Sequence, residues 1–384
     1  STKFTPDCPI TIFEAKLKKD WPNIIEKRDN GVLLCSYGLF VRHSDFFETQ
    51  DWNLVFFDEA QSLKNITSKR TSAARKLKAK SKFCITGTPM ENHFGEFFSL
   101  IDLSVPGSLG SYKKFMEVYG PKSKKHISTA NIEFLKLKTA PLVLRRDKAT
   151  ILKDLPSKTE NTVLIPFETQ QQKIYKDIAI SFNQKVHHLI EEKGESRSQL
   201  EMLTALLRLR QVCSCPSSLP KVTYTKVPPK INVMLEQVES LISKGESVLV
   251  FTNFVSTLHY IKELFENHNH SPLSIHGGVS MNKRKEILEI FEKSTQPSIL
   301  LMTLKTGGVG LNLTKANHVF HLEPWWNPAA ENQGTDRVHR MGQTKHVHVV
   351  RFIMQNSIEE KILNLKLKKS KSFDTLFSES LDSF

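Results

Sequence analysis

A chain of 384 residues with 39% hydrophobic and 24% charged residues has the composition of a globular protein and the length for two or three domains. No stretch approaches the roughly 18 apolar residues of a membrane span, Ser1–Thr11 lacks the apolar core of a signal peptide, and the five scattered cysteines (Cys8, Cys35, Cys84, Cys213, Cys215) show neither zinc-ligand spacing nor a disulfide framework. A net charge of +14 favours a polyanionic partner, nucleic acid before membrane.

The first part of the chain alternates strands and helices. Val32–Ser36, Leu54–Phe57 and Phe83–Thr86 are short apolar runs that end in polar turns, as buried parallel strands do. A Lys/Arg/Ala-rich helix is expected over Ser68–Ala79, giving β-α-β order and therefore a parallel sheet. From about Pro106 to Ala140 the pattern is helical and polar, and Thr162–Pro166 reads as a further strand. Gln170–Val212 is helical throughout, and Cys213–Pro229, with four prolines, has a linker's composition.

A second β/α run follows. Strands are expected at Ser247–Thr252, Pro272–His276, Ser298–Thr303, His318–Leu322 and Val347–Ile353. Helices are expected at Ser256–Asn267, Asn282–Ser294 and Pro328–Arg340, and an amphipathic helix begins at Ser357 ahead of a Ser/Lys-rich tail. The domain reading is a first α/β lobe over 1–168 with a helical insertion at about 105–140, a helical protrusion and linker over 169–229, a second α/β lobe over 230–356, and a tail over 357–384.

Three constellations carry chemistry. Four apolar residues run straight into Asp58-Glu59-Ala60-Gln61, and the carboxyl end of a parallel strand is where ligands sit. Asp58 is placed to hold Mg²⁺ and Glu59 to polarise a water, although a bare Asp-Glu pair after a strand is common on protein surfaces. Some 25 residues on, another strand runs into Thr86-Gly87-Thr88-Pro89, where a capped turn is an equal explanation. The third is the most specific: Gly307-Gly308-Val309-Gly310 follows a strand, then Pro324-Trp325-Trp326, then Gln333 to Gln343 with Asp336, Arg337 and Arg340. On a helix, Gln333, Asp336, Arg337 and Arg340 share one face, and two converging arginines suit a γ-phosphate.

These strings resemble the Swi/Snf-type ATPases, the branch of superfamily-two helicases that moves along double-stranded DNA. The second-lobe signature runs from Leu301 to Ile362, and Asp58-Glu59-Ala60-Gln61 is similar to the family's Mg²⁺ motif in a bacterial-like spelling. Thr86–Asn92, Leu144-Arg145-Arg146, Leu209-Arg210-Gln211, Phe251-Thr252-Asn253-Phe254 and His276-Gly277 with Arg284 fit intermediate motifs. The resemblance implies an α/β fold of two RecA-like parallel-sheet lobes, the first incomplete, with helical insertions between them. It implies ATP and Mg²⁺ as cofactors and double-stranded DNA as partner; the scattered cysteines are expected to be reduced thiols of a cytoplasmic or nuclear setting, and the lack of a long apolar run leads to no expectation of membrane association. It implies that Asp58 (for Mg²⁺), Glu59, Arg337 and Arg340 are catalytic. Gln61, Gly308, Gly310, Gln333 and Asp336 would lie near nucleotide, and Thr88, Thr252, Asn253, Lys283, Arg284, Thr303, Lys305 and Trp326 near DNA.

The family's phosphate-binding loop has no counterpart, since no Gly-Lys-Thr or Gly-Lys-Ser occurs in the 384 residues. That loop's lysine and amides cradle the β- and γ-phosphates. The expectation is therefore a C-terminal part of a motor core, inactive by itself in ATP hydrolysis, whose loop is on a missing N-terminal segment or another chain. The strand leading into Thr86 would then keep an open edge. An RNA or strand-separating helicase is the rival among enzymes, and a catalytically dead DNA- or protein-binding module is the alternative from another class.

Overall fold

The computed structural model describes residues 7–14, 21, 31–90, 93–120, 128–146, 148–152, 154–193, 195–306 and 312–364. Within them the chain separates into two compact units, divided between Leu144 and Arg145. No described helix is long and apolar enough to cross a membrane.

In the first unit, strand β1 (Ile10–Ile12) pairs in parallel with β2 (Val32–Leu34), and β3 (Asp51–Phe57) pairs in parallel with β4 (Lys78–Cys84). The crossover helix between β3 and β4 is Lys69–Lys76, capped by Ser68 Oγ, which accepts from the Thr71 amide at 3.2 Å. It ends three residues before the expected Ala79. Lys82 Nζ donates to the Ala74 and Arg75 carbonyls at 3.1 and 3.0 Å, satisfying the helix end while the chain turns into β4. Phe13, Phe47, Phe57, Leu63, Ala74 and Leu103 form the core against one side of these strands. On the other side Leu54, Phe56, Phe83 and Ile85 are exposed, with the Phe56 and Phe83 rings stacked at 5.1 Å.

The helix Phe94–Ser104 was not anticipated from sequence. Eight of its eleven residues are buried, so it lacks the polar stripe that marks an amphipathic helix. Helices Tyr112–Tyr119 and Thr129–Thr139 make up the expected helical insertion and pack on it through Phe115, Tyr119 and Leu135.

The second unit is built on a six-stranded, all-parallel sheet in the order β5-β10-β9-β6-β8-β7. These strands are β5 (Lys158–Ile165), β6 (Val248–Thr252), β7 (Leu273–Ile275), β8 (Ile299–Thr303), β9 (His318–His321) and β10 (Val347–Met354). Every residue of β6 and β8 is buried, as their continuous apolar runs require in the middle of a doubly covered sheet. Alternation assigns the faces: Val248 and Val250 join Ile231, Phe265, Phe320 and Phe352 on one, while Leu249 and Phe251 join Phe291 and Met302 on the other.

Strand β5 corrects the expected lobe boundary at 168. It pairs with β10 along its whole length, from Lys158 opposite Val347 to Ile165 opposite Met354. Its largely polar, exposed sequence suits an edge strand and does not reveal which sheet it joins. The long helices Thr169–Lys193 and Glu195–Ser214 pack together and lead to the helix Pro229–Ser243. A last described helix, residues 358–364, is tied down by a fully buried ion pair in which Lys230 Nζ lies 2.7 and 2.5 Å from the two Glu359 carboxylate oxygens.

Candidate nucleotide and nucleic-acid site

In the first unit the chemistry sits where β3 and β4 end. Phe57 is buried, the chain leaves the sheet at Asp58, and Glu59 takes the left-handed conformation, φ 49° and ψ 48°. A non-glycine residue holds such a conformation only where its surroundings enforce it. Here the Ile85 amide donates to the Phe57 carbonyl and the Ala60 amide to the Ile85 carbonyl, both at 2.9 Å. Tyr37 Oη donates to the Asp58 carbonyl at 2.8 Å, and burial, then nearby Cys84, Asp58 and Glu59, pushes its phenol up, keeping it a donor.

A hydrogen-bonded chain then joins the two motifs. Gln61 Nε2 donates to Glu59 Oε2 at 2.6 Å, Thr86 Oγ1 donates to Gln61 Oε1 at 2.7 Å, and the Thr88 amide donates to Thr86 Oγ1 at 3.0 Å. Gln61 thus bridges the Glu59 carboxylate and the Thr86-Gly87-Thr88 turn. Asp58 is exposed, with one carboxylate oxygen taken by the Glu59 amide at 3.0 Å. An exposed carboxylate at the end of a parallel strand is a donor that fits Mg²⁺.

In the second unit the arginine motif is not one face of a helix. The helix Pro328–Thr335 stops ahead of Asp336 and Arg337, which lie in a turn, and Arg340, which lies in the bend that follows. The reason is local. Gly334 weakens the helix and lies so close to Phe251 and Leu304 that a Cβ would come within 3.2 Å of each, and Thr335 Oγ1 is bonded to His321 Nε2 at 3.0 Å. Val338 then plunges into the core, and the Arg337 carbonyl accepts from the Leu313 amide at 3.0 Å. Arg337 is buried, Arg340 is exposed, and Gln333 is half-buried. Asp336 is paired with Lys148 at 2.8 Å. Gly308 and Gly310 lie outside the described residues.

Of the residues expected near DNA, Lys283, Lys305 and Trp326 are exposed, and Thr88 and Asn253 are half-buried. Three others are internal braces. Thr252 is 2% exposed and its hydroxyl donates to Glu323 at 3.0 Å. Thr303 is buried against Thr306, the two hydroxyls 3.0 Å apart. The Arg284 guanidinium donates to the carbonyls of His276, Gly277 and Val279 at 3.2, 3.1 and 2.9 Å. Glu323, which also accepts from the Asn253 amide at 2.7 Å, was missed from sequence because its partners lie some 70 residues away. Gln343 was missed too: its Nε2 donates to the Thr314 and Ala316 carbonyls at 3.1 and 2.8 Å, locking the end of the arginine motif to the turn before β9.

The family model of the SNF2-related domain matches residues 9–218, more than half of the chain, and that of the helicase conserved C-terminal domain matches residues 229–342. The chain belongs to the SNF2-related family. Within that family it is 31% identical, over all of its length, to an uncharacterized ATP-dependent helicase of Mycoplasma pneumoniae, of which it spans 36%. Over 94% of its length it is 34% identical to the putative ATP-dependent helicase/translocase YwqA of Bacillus subtilis, of which it spans 39%. Among solved structures it is similar to the SWI2/SNF2 ATPase core of Sulfolobus solfataricus in complex with double-stranded DNA. That likeness has a TM-score of 0.50 and 30% identity, covering 98% of this chain and 78% of that one. The SNF2-related match contains the Asp58–Thr88 network, and the helicase C-terminal match contains the arginine turns. The SNF2-related match runs past the division at Leu144 and takes in β5, which the structure joins to the second unit's sheet.

Proposed function

We propose that these residues are the C-terminal part of the motor core of an ATP-dependent double-stranded DNA translocase. The observation that carries the reading is the chain Glu59–Gln61–Thr86–Thr88, which couples a carboxylate at a strand end to the next motif's turn. In this reading Asp58 holds Mg²⁺, which would neutralise charge on the phosphates of ATP. Glu59, oriented by Gln61, accepts a proton from the attacking water, and Arg337 and Arg340 stabilise charge on the phosphoryl group. Lys283, Lys305 and Trp326 supply contacts to duplex DNA, mostly to its backbone, so affinity falls with salt and carries little sequence preference. The SWI2/SNF2 core solved with double-stranded DNA supports that choice of partner.

The 384 residues hold no phosphate loop, and in this proposal they hydrolyse little or no ATP by themselves. The exposed face of Leu54, Phe56, Phe83 and Ile85, beside β4 whose one described strand partner is β3, is consistent with a sheet that takes on further covering structure. Steady-state ATP turnover, with and without duplex DNA, tests the reading on this chain and on a longer form that carries a phosphate loop. Duplex-stimulated turnover confined to the longer form upholds it. No turnover in either form supports the catalytically dead binding module, and strand displacement by the longer form supports a strand-separating helicase.

A further inference from the structure

The motif Leu209-Arg210-Gln211 has no task in the mechanism above. Arg210 lies near the end of the helix Glu195–Ser214 and is only 4% exposed. A guanidinium at that depth has lost its hydration and requires compensation. Its Nη2 donates to the Pro324 carbonyl at 3.0 Å. Its Cζ lies 5.5 Å from the Phe254 ring centroid and 5.7 Å from those of both Trp325 and Trp326. Nε has no hydrogen-bond partner among the described residues, and the cation is held by the aromatic faces together with the attraction of the nearby Glu323 and Glu359 carboxylates.

The three rings come from two turns. Phe254 follows β6, and Trp325 and Trp326 follow β9. Glu323 joins the same turns by accepting from Thr252 Oγ1 and the Asn253 amide. From the solvent side, Lys305 Nζ stands 5.9 Å from the Trp325 centroid, and Trp326 itself is 39% exposed. A buried cation from the long helix pair therefore contacts both indoles of a turn whose outer indole faces water.

We infer that Arg210 is a positioning residue: it clamps the Trp325-Trp326 turn to the helix Glu195–Ser214 and so sets the orientation in which Trp326 meets duplex DNA. The DNA part of this rests on the function proposed above. The clamp needs arginine in particular, because a planar guanidinium can stack on several rings while donating to Pro324, and an ammonium cannot.

Protein labelled with 5-fluorotryptophan gives one ¹⁹F resonance for each of the four tryptophans, assigned with Trp325→Phe and Trp326→Phe. The expected result is that Arg210→Lys and Arg210→Ala shift the Trp325 and Trp326 resonances and leave those of Trp21 and Trp52, in the other unit, in place. By anisotropy with a labelled duplex at fixed salt, Arg210→Ala weakens binding about fivefold. Trp326→Ala does the same, and the double variant loses no more than either alone. Arg210→Lys, which keeps the charge, stands in if Arg210→Ala does not fold, and it is expected to recover less than half of the affinity lost. Unmoved Trp325 and Trp326 resonances overturn the clamp. Losses that add in the double variant overturn the claim that Arg210 acts through Trp326. An unchanged duplex affinity in Trp326→Ala overturns the DNA role itself, whatever the resonances do.

Discussion

Glu59 holds a left-handed backbone, a conformation that costs a non-glycine residue about 1–3 kcal/mol, and the Gln61 amide fixes its carboxylate at 2.6 Å. In the function proposed, a side chain that orients this carboxylate would serve the activation of water. In a form that carries a phosphate loop, Gln61→Ala is therefore expected to lower the turnover number about tenfold with little change in KM for ATP. An unchanged turnover number would leave Gln61 as a structural link alone. A second residue-scale consequence concerns pH. His318 is stacked on His348 at 4.8 Å, and burial, then His348, lowers its pKa from 6.5 to about 4, against the opposing pull of Glu246; Lys345 and His346 add to the lowering. The unfolded chain thus takes up this proton first as pH falls. The stability His318 contributes is full above about 6.5 and is lost progressively down to about 4. Urea midpoints measured across that range should fall with pH, and His318→Asn should flatten the fall.

The elements show what patterning can and cannot reveal. The strands β6 and β8 were legible to within a residue, because unbroken apolar runs bounded by turns identify buried parallel strands. Helical spacing continues past Thr335 in the sequence, so the arginine motif reads there as part of the helix. The helix actually stops where Gly334 packs against Phe251 and Thr335 bonds His321, partners more than ten residues away. Strand β5 was placed in the wrong lobe for the same kind of reason, since a polar edge strand carries no signature of its neighbour. That Asp58, Glu59 and Gln61 lie together was legible because one strand end and one turn supply all three. The last described helix gives a prediction at this scale. Its Glu359 carboxylate is raised in pKa by burial, against the pull of Lys230, and both side chains are fully buried. Lys230→Met leaves that carboxylate with the Met354 amide but without its cation and should cost about 3–5 kcal/mol in urea unfolding, whereas Lys230→Met with Glu359→Leu should recover most of it. Equal losses in the single and double variants would contradict this.

At the scale of the whole molecule, the chain is two α/β units with a basic excess of +14, and it spans little more than a third of the relatives it matches over its full length. One unit buries its sheet on both faces, while the other leaves Leu54, Phe56, Phe83 and Ile85 in water. Replacing Phe56 and Phe83 by serine should reduce binding of an apolar dye and self-association of the 384-residue chain, and a longer form with a phosphate loop should show neither. The chemistry follows the same division. In the function proposed, the carboxylates lie in one unit and the arginines in the other, and no Gly-Lys-Thr or Gly-Lys-Ser occurs in the 384 residues. The most direct test is therefore ATP turnover by the 384-residue chain beside its Glu59→Gln variant, with duplex DNA absent and present. The account predicts no difference between the two proteins under either condition, and duplex-stimulated turnover once a phosphate loop is supplied. Turnover by the 384-residue chain above its Glu59→Gln variant would contradict it.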